Sequence, residues 1–119
     1  MTAMEGLGTV KKVEAIIRPE TFAAVRQGLE DIGYSTLTTT EVHGHGVERG
    51  TTRQWVGMAY VLDLLPMTKV EVVVSDELLG RVICVVRENA RTGSIGDGKI
   101  LVSPVEEAVS ILTGEHAIF

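Results

Sequence analysis

The chain is short of several things at once, and each shortage closes off a class of protein. It has one cysteine, Cys84, so no disulfide framework can form within it, and that usage fits a reducing compartment. Aromatic residues make up 4% of the 119 positions, which leaves Val, Ile, Leu and Ala to build the core. Positive charge is not in excess: 11 Lys and Arg stand against 16 Asp and Glu, a formal charge of −5. A protein that grips nucleic acid through its phosphates needs the opposite sign, so that class is set aside. No apolar run reaches the roughly 18–20 residues of a membrane-spanning helix. Met1 to Thr9 lack the positive-then-apolar layout of a secretory signal. What is present, 45% hydrophobic and 23% charged residues, fits one small acidic domain in the cytoplasm.

Residues 1–10 read as a flexible tail and residues 11–119 as a single domain. Val13, Ala15 and Ile17 alternate with Lys12, Glu14 and Ile16, the two-residue period of a strand. Pro19 suits an early helical position, and Phe22, Val25, Leu29 and Ile32 form one helical stripe that ends at Gly33. Thr36 to Val42 is rich in β-branched residues and reads as a second strand. From Gly44 to Gly57 the apolar period vanishes among glycines, threonines and charges, as in a long functional loop. A third strand follows from Met67 to Val74. Asp76 is placed as an N-cap, and Leu78, Leu79, Val82, Ile83 and Val86 form a second helical stripe. A short strand, Ile100 to Val102, comes before Pro104.

That order is two split βαβ units, the pattern of an α+β, ferredoxin-like βαββαβ sandwich. Ile16, Val73 and Leu101 lie opposite the main apolar stripes, so the sheet face away from the helices needs a cover. Association with further copies of the chain supplies one economically.

Ala90 to Ile100 carries the most chemical information. Gly93, Gly96 and Gly98 allow backbone N–H groups close to an anion, and Lys99 adds a point charge, so the segment suits phosphate. It is not a Walker A loop, because the glycine spacing and the Lys-Ser/Thr ending are absent. Taken alone it also reads as a glycine turn between a helix and a strand.

With its neighbours, the segment resembles the PII signal-transduction family, trimeric cytosolic proteins that bind adenine nucleotides between subunits. Lys12 to Pro19 resembles the family's opening strand, and Thr40 to Gly46 the strand leading into its long T-loop. Ala90 to Ile100 resembles its B-loop signature, and Leu112 to Glu115 its C-terminal turn. The resemblance implies a homotrimer with a T-loop at about 44–62 and a B-loop at about 91–99. It implies that Gly96, Asp97, Gly98 and Lys99 hold nucleotide phosphates and that Arg91, Thr92 and Gly93 lie beside the ribose and phosphates. Thr38, Glu71, Val72 and Val73 would lie beside the adenine, and Gly44 and Gly46 would let backbone close over the ligand.

The departures from the family pattern shape the expected ligands. Two arginines usual on the C-terminal turn are here Ser110 and Leu112. Each lost charge-assisted bond is worth roughly 1.5–3 kcal/mol, part of which solvent recovers, so ADP and AMP should be favoured over ATP. The usual 2-oxoglutarate site has a glutamine and a lysine where this chain has Glu48 and Met67, a like charge and a missing partner. A small anion such as bicarbonate, held by backbone at Gly46 and by Glu48, Arg53 or Lys99, is the expected co-effector. With its nucleotide loop kept and its anion site altered, the chain resembles the bicarbonate-responsive, carboxysome-associated PII-like branch more than the branch that neighbours metal-efflux genes. A conventional nitrogen regulator that binds ATP, ADP and 2-oxoglutarate is the alternative.

Trp55 and Tyr60 are the expected contacts to a partner, a transporter or an enzyme, although Trp55 reads equally as folded back on the trimer and Tyr60 as loop packing. His43 and His45 share a strand face but have no third ligand nearby, so no metal site is expected. Cys84 is expected as a buried thiol and Glu106-Glu107 as a solvated face. No nucleophile–base pair accompanies Lys99, so no catalytic residue and no cofactor is expected. A nucleotide-hydrolysing enzyme remains a further alternative, with Asp97 at most positioning water.

Overall fold

Residues 10–43 and 65–116 are described by the structure, a computed structural model. The expected tail up to Thr9 and the whole of the expected T-loop, 44–62, lie outside the described residues, and with them Gly44, His45, Gly46, Glu48, Arg53, Trp55 and Tyr60.

The alternation in the first strand becomes β1, Val10–Ile17, with Val13, Ala15 and Ile17 each 1% exposed. Arg18 takes extended backbone, Pro19–Thr21 forms a single 3-10 turn, and α1 runs Phe22–Asp31. The Thr21 hydroxyl and amide both donate to the Arg18 carbonyl, at 2.8 and 3.0 Å, which fixes the corner. Val25 and Leu29 of the expected stripe are fully buried. Gly33, with φ at +102°, ends the helix: its N–H donates to the Glu30 carbonyl and the Tyr34 N–H to that of Leu29. That pair of bonds is a Schellman cap, which needs the left-handed residue that glycine supplies.

β2 is Thr38–His43, β3 Pro66–Ser75, α2 Asp76–Ala90 and β4 Gly98–Val105. The sheet is antiparallel throughout, in the order β2-β3-β1-β4, with both helices on one face. This is the ferredoxin-like arrangement expected from the sequence. The core lies between sheet and helices; among the described residues its buried members are Val, Ile, Leu and Ala, with Phe22 and Tyr34 packed against them. The helices meet closely at Gly28, where a Cβ would stand 2.7 Å from Val85 Cγ1 and 2.8 Å from Asn89 Nδ2.

Three expectations are corrected. Ser75, in extended backbone, is the N-cap of α2; Asp76 is its first helical residue, and its carboxylate accepts from Lys11 at 2.7 Å. The acid therefore still favours the helix start, through charge rather than as a cap. Cys84 is exposed, with its thiol 3.6 Å from Glu88, because the buried stripe passes through Val82 and Val86 on the other side of the helix. Leu78, in the first turn, is 37% exposed for the same reason.

The second sheet face is mixed rather than simply apolar. Ile16, Val73 and Leu101 lie on it, as register requires, but its centre holds Lys12, Glu14, Lys69 and Glu71. Lys12 reaches Glu71 at 3.4 Å and Glu14 at 3.7 Å, and Lys69 reaches Glu14 at 3.9 Å. The Glu71 carboxyl is held below the usual carboxylate range, first by its hydrogen bond with Glu14 and then by the two lysines. The face is thus charge-balanced, and the apolar surface that needs cover lies more at β4 and the C-terminal turn. Leu101 and Val102 are 46% and 41% exposed, and Ile111 and Leu112 almost wholly so.

Candidate anion-binding site

The link from α2 to β4 is a loop fastened by one carboxylate. Asp97 accepts from the Thr92 amide at 2.8 Å, the Gly93 amide at 3.0 Å and the Thr92 hydroxyl. Arg18, at the end of β1, donates from Nε to the same carboxylate at 3.0 Å and from Nη2 to the Ile95 carbonyl at 2.8 Å. The Thr92 hydroxyl, Arg18 and the two amides together hold the Asp97 carboxyl well below its usual range. The loop is tied in this way to a rigid strand rather than left to fold on itself.

Each glycine of the loop adopts a positive φ, +91° at Gly93, +99° at Gly96 and +111° at Gly98. Their local surroundings differ. A Cβ at Gly93 would meet open space, and one at Gly96 would lie 3.3 Å from the Arg18 guanidinium. At Gly98 it would overlap the Ile16 carbonyl oxygen and stand 2.9 Å from its carbon. Gly98 is therefore required by the approach of β4 to β1, whatever the loop binds.

Beside the loop opens a cleft of about 330 Å³, floored by Ile17, Val86, Ala90 and Ile100 and edged by Arg87, Arg91 and Lys99. Among the described residues that line it the one carboxylate, Asp97, is already engaged by Arg18 and the loop amides. An apolar floor edged by cations suits a small anionic ligand or the phosphorylated end of a larger one.

The residues expected at the site fall into two groups. Arg91, Thr92, Gly93, Gly96, Asp97, Gly98 and Lys99 gather at the β4 edge of the sheet. The Thr92 and Gly93 amides are committed to Asp97, so the cations of this group are its free binding elements. Thr38 and Glu71 face each other on β2 and β3, with two strands between Thr38 and β4, roughly 14 Å at ~4.8 Å per strand. Val73 shares the open face with Glu71, whereas Val72 turns its side chain into the core. β2 pairs with β3 only as far as Glu71, so among the described residues no strand pairs with the β3 backbone from Val72 onward on that edge. One chain does not bring the two groups together.

Two residues of this site escaped the sequence reading. Arg18 is 79 positions from Asp97, and its only local signal is a cation just before a strand-ending proline. Arg87 precedes Arg91 by one helical turn, a spacing that places both on one helix face. Among the described residues no group of three or more His, Cys, Asp or Glu could hold a metal ion, and His43 is exposed on β2. Glu107 pairs with His116 at 2.8 Å, and Val109 bridges His116 to close the C-terminal turn. No described helix is long and apolar enough to cross a membrane.

Comparison with known proteins agrees with this architecture. The family described as nitrogen regulatory protein P-II matches residues 10–115. A nitrogen regulatory protein P-II of Haemophilus influenzae is 50% identical over 107 residues, 90% of this chain and 96% of that relative. One of Bradyrhizobium diazoefficiens is 43% identical over 109 residues, 92% of this chain and 97% of the relative. The crystal structure of Arabidopsis thaliana PII bound to citrate superposes with a TM-score of 0.73 at 34% identity, covering 91% of this chain and 85% of that one. A family match across both split βαβ units and the B-loop, together with relatives of this identity along their whole length, makes the chain a member of the nitrogen regulatory protein P-II family, regulators rather than enzymes.

Proposed function

We propose that the chain is a non-enzymatic sensor that binds an adenine nucleotide, ADP or AMP in preference to ATP, in clefts between neighbouring copies. The observation that carries this is the split site: cations and B-loop lie at the β4 edge, Thr38 and the free β3 backbone at the other. A second copy that brings its β2–β3 edge to the first copy's β4 edge would join phosphate-binding and base-binding halves. Such head-to-tail contact is heterologous and closes as a ring, and a homotrimer is the ring that the resemblance implies. The preference for fewer phosphates rests on Ser110 and Leu112, which add no cation from the C-terminal turn. A small anion, bicarbonate, acts as co-effector, and the T-loop carries the signal to a partner protein through Trp55 and Tyr60. The site is in the cytoplasm on this reading.

The names of the relatives favour a second reading, a nitrogen regulator; on the resemblance above, such a regulator would respond to 2-oxoglutarate with ATP or ADP. Glu48 and Met67 speak against it, since they put a carboxylate and a thioether where the usual site offers a dicarboxylate an amide donor and a cation. Calorimetric titration with ADP, repeated with bicarbonate and with 2-oxoglutarate, separates the two. The first reading expects ADP affinity to change with bicarbonate and to be indifferent to 2-oxoglutarate. Tightening by 2-oxoglutarate would establish the second.

A further inference from the structure

Arg87 stands at the cleft without an assigned role. It lines the same space as Arg91 and Lys99, and none of the three has an ion-pair partner among the described residues. Arg87 and Arg91 are a like-charge pair at i, i+4, an arrangement that disfavours a helix unless something anionic lies against it. The C-terminal carbonyls of α2 offset part of that repulsion, and one of them, that of Arg87, is already taken by the Arg91 amide at 3.0 Å. Those same carbonyls repel an anion, so a phosphate beside this helix end needs more than one cation to hold it. Asp97 does not neutralise the cluster, because Arg18 balances it. Arg87 and Arg91 thus stand unopposed at an apolar-floored cleft in a protein whose formal charge is −5, with Lys99 beside them on β4, its side chain on the open face with Ile16.

We infer that Arg87 is a phosphate-contacting residue of the nucleotide site and that, with Arg91, it takes the β-phosphate of a nucleoside diphosphate. The inference rests on the nucleotide reading above and deepens it, since a third cation rewards a second phosphate and sets ADP above AMP. A guanidinium also suits this place better than an ammonium, because its fork meets two phosphate oxygens at once.

The test is calorimetric titration of the wild-type protein and of Arg87→Gln, Arg87→Lys and Lys99→Ala with ADP, AMP and adenosine. Arg87→Gln should weaken ADP by roughly five- to tenfold, AMP by less, and adenosine by no more than about twofold. Arg87→Lys should recover part of the loss. If Arg87 served only to complement the dipole of α2, Arg87→Gln would lower the melting temperature and leave the ADP-to-adenosine ratio unchanged, which overturns the inference. Equal losses for ADP and adenosine overturn it as well. An ADP affinity that falls in Lys99→Ala but not in Arg87→Gln removes Arg87 and leaves the nucleotide reading standing. Wild-type protein that binds no adenine nucleotide removes both.

Discussion

Single residues decide this structure where backbone meets backbone. Gly98 has no room for a side chain, because its own Cβ would occupy the space of the Ile16 carbonyl, and its φ is +111° besides. Gly93, five residues earlier and in the same signature, has a similar φ but open space around it. Alanine therefore separates the two causes. Gly98→Ala should cost at least about 3 kcal/mol, strain and overpacking together, whereas Gly93→Ala should cost only about 1 kcal/mol from backbone strain. Differential scanning calorimetry of the two variants checks this. Equal losses would mean that φ alone matters and that the contact between β4 and β1 is slack. The sequence marks both positions as glycine and does not distinguish them, since the reason for Gly98 lies on a strand more than 80 positions away.

At the scale of elements, the loop before β4 depends on charge for its shape. Asp97 in the folded chain holds its proton more weakly than the ordinary value of 3.8 allows, because the Thr92 hydroxyl, Arg18 and two amides all favour the carboxylate. A depressed carboxyl stabilises the fold above its unfolded value, and that contribution disappears as the pH falls below it. The wild-type protein should lose thermal stability steeply below pH ~4, and Asp97→Asn should be less stable at neutral pH with a flatter acid profile. Melting temperatures across that range test the point; parallel profiles would detach Asp97 from loop stability.

The elements themselves were largely legible in the sequence. A two-residue period wrote β1 and β3, the 3–4 spacing wrote α1 and α2, and Gly33 wrote the end of α1. What was not legible is long-range or rotational. Arg18 to Asp97 spans the fold, and the side of α2 that Cys84 occupies depends on one residue's rotation about the helix axis. Within the site, the glycines and Lys99 were readable from composition, while Val72's inward side chain follows from the alternation of β3 and was passed over in favour of the motif. The separation of Thr38 and Glu71 from the B-loop needed the sheet order, which no local pattern encodes.

At the scale of the whole molecule, the proposed nucleotide reading makes one copy an incomplete binding unit. The groups assigned above to base and to phosphate stand at opposite edges of one sheet, and Leu101 and Val102 are exposed on the edge strand β4. The ion pairs on the open face suit a buried contact between copies too, since Lys12, Glu14, Lys69 and Glu71 already balance one another. Assembly and ligand binding should therefore be one event in free-energy terms, each strengthening the other. Native mass spectrometry of the wild-type protein with ADP tests that claim most directly. The account predicts trimers that carry up to three ADP molecules and monomers that carry none. ADP on monomers, or trimers that take up no ADP, would contradict it.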